Sequence, residues 1–138
     1  MSDFNTAIIV EFRQNHGVVG RGFGSALVLL HTTGAKSGAP RINPVAHVMD
    51  GDDVVVIASK AGAPDNPAWF HNLVAHPQVQ VETGSEMYDA VASVVEEPDR
   101  ARLFAKMVEL MPGFADYETK TSRVIPVVRL RRARRTGS

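Results

Sequence analysis

The stretch RINPVAHVMD, residues 41–50, alternates its side chains by two and runs into Asp50-Gly51-Asp52, a hairpin signal, followed at once by DVVVIAS. Ile42, Pro44, Ala46 and Val48 fall on one face of this strand, and Arg41, Asn43, Val45 and His47 on the other. The apolar, partly branched run ALVLLHTT at residues 26–33 precedes it and reads as a buried strand. Two further strands, QVQVE and EMYDAVASVVE, are joined by Thr83-Gly84-Ser85. SRVIPVVRLR reads as the last strand, with Pro126 marking an edge or a bulge. Short antiparallel strands in this order constrain the chain to a mainly β (α+β) class, a small closed or split β-barrel of about six strands with inserted helices.

The insertions carry helical signals. Residues 3–16 place Phe4, Ile8 and Phe12 on one stripe. GVVGRGFGS, residues 17–25, is a flexible connector. In DNPAWFHNLVAHP, Asn66 is a candidate N-cap and Pro67 a first helical residue, and His76 before Pro77 ends the helix near Ala75. EPDRARLFAKMVELM sets Phe104, Met107, Val108 and Met111 on one stripe.

A chain of 138 residues suits one domain, 1–138, with residues 1–25 as helix and connector and 131–138 as a basic tail. Its 44% hydrophobic and 22% charged content fits a globular protein, and the absence of cysteine excludes disulfides and thiolate sites. No apolar run reaches the length of a membrane span and no basic leader opens the chain, so a cytoplasmic location is expected. The net charge of zero hides five arginines, Arg129, Arg131, Arg132, Arg134 and Arg135. They read as a solvated end: no aromatic is interleaved for base stacking, so no nucleic-acid partner is expected. A weak contact of the N-terminal helix and this tail with a membrane surface stays open as a partner reading.

Several motifs nearly match and fail. GRGFGS has Ser25 where a dinucleotide fingerprint needs its third glycine, and GAKSG lacks the glycine spacing of a nucleotide loop. His71 and His76 are five apart and share no helix face, so no metal site is expected.

Two constellations remain. In TTGAKSGAPRINP, Gly34 and Gly38 can hold a turn open so that successive N–H groups form an anion nest, with Lys36, Ser37, Arg41 and Asn43 around it. An ordinary hairpin with solvated charges explains the same residues equally well. In ASKAGAPDNPAWFHN, a strand end meets a helix start with Ser59, Lys60, Gly62, Trp69 and Asn72. Trp69 can pack against a flat ring, or simply be a core aromatic behind an Asn-Pro cap.

TTGAKSGAPRINPV, ASKAGAPDNPAWFHNLVAHPQVQVE and MPGFADYETKTSRVIPVV, taken together and in this order, closely resemble the deazaflavin-dependent nitroreductase family, the coenzyme F420-dependent quinone and nitro reductases. The resemblance runs from about Leu27 to Leu130. It implies a split β-barrel and an 8-hydroxy-5-deazaflavin coenzyme, coenzyme F420, a flavin-like ring on a ribityl phosphate. By the same resemblance Lys36, Ser37, Gly38 and Arg41 hold the phosphate, with Asn43 and Pro44 beside them. Ala58, Ser59, Lys60 and Gly62 line the coenzyme, and Asn66, Pro67, Ala68 and Trp69 close over it. Phe114 and Tyr117 form the substrate wall, and Tyr117 and Ser59 stand on the proton side. Phe114 occupies a position where family members carry tyrosine.

The implied reaction passes a hydride to an electron-poor acceptor: a quinone, nitro compound, enone or conjugated lactone. The cofactor carries the chemistry, so no acid–base pair is required. Two alternatives share the barrel, an enzyme using flavin mononucleotide (FMN) and a non-catalytic deazaflavin carrier. A homodimer is the expected assembly if barrels pair.

Overall fold

The computed structural model describes residues 3–20 and 23–133. Arg134 and Arg135 lie outside the described residues, as does the side chain of Phe4. Six strands close a barrel: β1 (Leu27–Thr33), β2 (Pro40–Asp50), β3 (Asp53–Ile57), β4 (Gln78–Glu82), β5 (Met87–Val94) and β6 (Val127–Arg132). Their order around the wall is β1-β2-β3-β6-β5-β4, all neighbours antiparallel, with β1 pairing β4 to complete the circle. Closure leaves no strand edge unpaired.

Burial explains why the strands read differently in sequence. Val28, Leu30, Val45, Val54, Val56, Val81, Val128 and Leu130 fill the barrel interior. The opposite faces of β1, β2, β3 and β6 are also covered. Helix α1 (Asp3–Gln14) lays Ile8, Ile9 and Phe12 on Leu27 and Leu29. Helix α3 (Asp99–Leu110) lays Leu103, Phe104 and Met107 on Val48, Val55, Ile57 and Val127. Strands buried on both sides have no polar face to alternate with, hence LVLL and VVVI. Strands β4 and β5 have no helix outside them and alternate buried with exposed. Each fully buried aliphatic side chain contributes about 1.5–3 kcal/mol, so the helix stripes are integral to the fold.

The apolar face of α1 is therefore occupied by the barrel wall. Its exposed side is tied down as well, since Arg13 donates two hydrogen bonds to Glu82, each 2.9 Å. The connector is partly pinned, with Val19 buried and paired to Gly24.

Three expectations are corrected, and one further helix emerges. Helix α2 spans Ala68–Ala75, with Pro67 at its N-cap position and no side-chain cap; Asn66 instead accepts a hydrogen bond from Arg123. Pro126 lies just before β6, at neither an edge nor a bulge, and its carbonyl accepts from Ala58 N–H at 2.9 Å. The segment after Gly113 forms a separate helix, α4 (Phe114–Lys120). Finally, Arg129 and Arg132 are not a frayed end. Arg129 sits 2.7 Å from Asp50 and 3.1 Å from Asp53, and Arg132 pairs with Glu86 at 2.6 Å.

Candidate active site

The turn between β1 and β2 is held from inside and from one helix. Gly34 N–H donates to Ala39 O (2.8 Å) and Gly38 N–H to Gly34 O (3.0 Å), with Gly38 at φ +71, where a side chain would be strained. Ala39 N–H donates to Ser37 Oγ. Asn72, buried on α2, accepts from Ala35 N–H at 3.0 Å and donates to Thr32 Oγ1 at 3.2 Å. The turn is thus bolted to the helix that carries Trp69.

What the turn presents outward is positive. Among the described residues, the N–H groups of Lys36 and Ser37 have no protein acceptor. Lys36 and Arg41 are exposed and make no ion pair among the described residues, whereas Arg13, Arg100, Arg102, Arg129 and Arg132 all face carboxylates. Two unpaired cations beside free N–H groups suit an anionic ligand.

A cleft of about 260 Å³ lies outside the barrel wall, between α1 and α4. It gathers Ser59, Lys60, Pro67 and Trp69 with Phe114 and Tyr117, so the second constellation and the aromatic segment meet here, while of the TTGAKSGAPRINP stretch only Pro44 reaches the cleft. Trp69 is a core aromatic that also borders the cleft. It packs with Leu73 in the barrel interior and offers the remainder of its surface to the cleft. Phe114 and Tyr117 meet edge to face at 5.0 Å, and Phe114 is buried in the cluster beneath α3. Phe23 and Met111 also line the cleft, two residues to which the sequence assigns no site role.

Other candidates sit around the cleft rather than in it. Arg41 and Asn43 share the inward parity of Val45, while Pro44 faces outward, about 10 Å along the strand from Arg41. Ala58 belongs to the barrel core, and Ala68 is exposed at the start of α2. Gly62, at φ +82, faces α4: an added Cβ would lie 2.9 Å from Lys120 Cβ and 3.0 Å from Tyr117 O. This glycine lets the single 3-10 turn Lys60–Gly62 press directly on the helix bearing Tyr117.

Arg123, to which the sequence assigns no role of its own, organises the loop after β3. Its Nε donates to Ala63 O (2.9 Å), Nη1 to Ala58 O (3.1 Å) and to Asn66 Oδ1 (2.7 Å), and Nη2 to Ser59 O (2.6 Å). Lys60 bonds both Asp65 oxygens and holds that carboxylate below its usual range. A neighbouring cavity of about 280 Å³ shares Phe23 and Met111 with the cleft and has His47 in its wall. Burial pushes the His47 imidazole down, and Nδ1 donates to Ala26 O at 2.8 Å, because a carbonyl can only accept.

The cleft therefore offers apolar walls, one phenol, one buried hydroxyl, one lysine and the amide of Asn5. No pair of carboxylates lines it. This set fits a flat, apolar ring system, and it leaves redox chemistry to a bound group.

Comparison with known proteins points the same way. Residues 6–132 match the family model described as F420H(2)-dependent quinone reductase. An F420H(2)-dependent quinone reductase of Mycobacterium tuberculosis is 39% identical over 126 residues, covering 88% of this chain and 85% of that protein. A solved F420-H2 dependent reductase superposes with a TM-score of 0.71 at 39% identity, covering 76% of this chain and 93% of the other. A second structure, described as a domain-swapped dimer, gives a TM-score of 0.72 at 37% identity, covering 91% and 92%.

Proposed function

The chain belongs to the F420H(2)-dependent quinone reductase family, and on that premise we propose that it reduces a quinone in the cleft beside Trp69 and Tyr117. A reduced deazaflavin bound there supplies a hydride. The protein's part is to bind, orient and exclude water.

The β1–β2 turn holds the anionic end of the cofactor. Lys36 and Arg41 supply charge, the Lys36 and Ser37 N–H groups supply directed donors, and Gly38 keeps the turn open, with Asn43 alongside. The ring lies against Pro44 and is bounded by Ser59, Lys60, Pro67 and Trp69. Ala58, Gly62, Asn66 and Ala68 shape the segment that carries those walls. On the acceptor side, Phe114 backs Tyr117, whose O–H can donate to a quinone oxygen as that oxygen gains negative charge. One hydride and one proton convert a quinone to a hydroquinone, the proton coming from Tyr117, Ser59 or water. The observation that carries this reading is the convergence of the ring-wall residues and the acceptor aromatics on one cleft.

The direct test of cofactor choice is fluorescence titration of the protein with oxidised coenzyme F420, with FMN in parallel. Saturable binding of the deazaflavin is expected; preference for FMN would move the chain to flavin chemistry on the same barrel.

A homodimer is proposed for the assembly. The support is the 37% identical chain described as a domain-swapped dimer. Light scattering after gel filtration distinguishes a dimer from a monomer.

A further inference from the structure

We infer that Arg123 is a positioning residue of this site, setting residues 58–66 against α4 and thereby fixing the cofactor side of the cleft relative to the acceptor side. The sequence assigns it no role within the segment that holds it, and its meaning comes from what the fold gathers around it. The inference rests on the reading above for the identity of the ligands, not for the architecture.

The geometry is specific. One guanidinium bonds the carbonyls of Ala58, Ser59 and Ala63 and the side chain of Asn66, four acceptors within a single loop. Among the described residues Arg123 has no carboxylate partner within ion-pair distance, unlike the arginines of the barrel wall. Its charge is satisfied by backbone dipoles, which makes it a fastener of chain conformation. Only a planar fork with several fixed donors can reach these acceptors together; an ammonium is a point charge with three donors and cannot span them.

The fastener also has a lever. Arg123 follows α4 by three residues, since the helix ends at Lys120. Gly62 of the same loop abuts Tyr117 and Lys120 with no room for a side chain. Two separate contacts thus tie the loop bearing Ser59 and Lys60 to the helix bearing Tyr117. Ser59, Lys60 and Tyr117 all line the cleft. Releasing Arg123 lets the two walls move apart without removing any group that touches either ligand.

The test uses the full chain with Arg123→Lys and Arg123→Ala. It measures affinity for oxidised coenzyme F420, and kcat and KM for 1,4-naphthoquinone with reduced coenzyme. Both variants should lose about tenfold in cofactor affinity with cooperative unfolding retained, Lys less than Ala. KM for the quinone should rise, and low-millimolar guanidinium, but not sodium or methylammonium, should restore part of both in Arg123→Ala. Folded variants with wild-type affinity and KM would overturn the inference, as would equal loss in both variants with no response to guanidinium. If Arg123→Ala does not fold, Arg123→Lys alone decides. If the wild-type protein binds no deazaflavin, the functional reading fails separately. Amide exchange over residues 59–66 then decides: it should accelerate in Arg123→Lys, and unchanged exchange would sink the positioning role.

Discussion

Asn72 Oδ1 accepts the N–H of Ala35 at 3.0 Å, so a buried side chain on α2 fixes the shape of the β1–β2 turn. The same amide donates to Thr32 Oγ1. Asn72→Ala leaves the buried Thr32 hydroxyl without this partner and should cost about 1–3 kcal/mol of stability. Because the turn loses its anchor, affinity for coenzyme F420 should also fall. Thermal unfolding and titration of the variant check both. Unchanged affinity would mean that the turn keeps its shape without α2, or that it holds no ligand.

Lys36 and Arg41 have no carboxylate partner among the described residues, so their removal costs the fold little. Lys36→Ala or Arg41→Ala should weaken coenzyme binding by about 1.5–3 kcal/mol, roughly 10- to 150-fold. Raised salt should weaken wild-type binding as well, because both cations are exposed. A titration series against ionic strength tests this. Flat affinity in either variant would move the anionic end of the cofactor elsewhere.

The two acceptor-side aromatics should separate by role. Phe114 is buried, and Phe114→Ala should cost about 3–5 kcal/mol of stability. Tyr117 is half-buried and lines the cleft, so Tyr117→Phe should keep stability and cofactor affinity while lowering kcat or changing quinone preference. Steady-state kinetics on several quinones would show it. Loss of cofactor affinity in Tyr117→Phe would place the phenol against the coenzyme instead.

Asp50 gives a pH signature. Hydrogen bonds from Arg102 and then Arg129 lower its carboxyl from the ordinary 3.8 to about 2. A carboxylate depressed in the folded state stabilises above its unfolded value, and the contribution is lost as pH falls through the folded value. Thermal midpoints should therefore drop as pH falls from about 4 toward 2, and Asp50→Asn should flatten that part of the profile. An unchanged slope in Asp50→Asn would show that other carboxylates dominate.

Much of the barrel was legible because its signals are local. The alternation of residues 41–50, the Asp50-Gly51-Asp52 turn and the Thr83-Gly84-Ser85 turn mark hairpins that form between neighbours in sequence. The β1–β4 and β5–β6 pairings that close the barrel join distant segments and leave no local trace. Helix α4 was missed because FADYETK has too few apolar positions to show a stripe; its place is set by Phe114 packing under α3. Asn66 reads as a cap by residue type, yet Arg123 competes for its side chain. In the site, the two glycine-bearing segments were readable as chemistry, whereas Asn72 as the anchor of the turn and Arg123 as the fastener of the loop depend on partners brought together only by the fold.

The most direct measurement is anaerobic mixing of the protein and reduced coenzyme F420 with 1,4-naphthoquinone, following the return of oxidised-deazaflavin absorbance, with reduced FMN as the parallel donor. The account predicts oxidation that depends on the protein, saturates with quinone and occurs with the deazaflavin as donor. Tight deazaflavin binding without such turnover would make the chain a carrier, and turnover with reduced FMN alone would contradict the proposed cofactor.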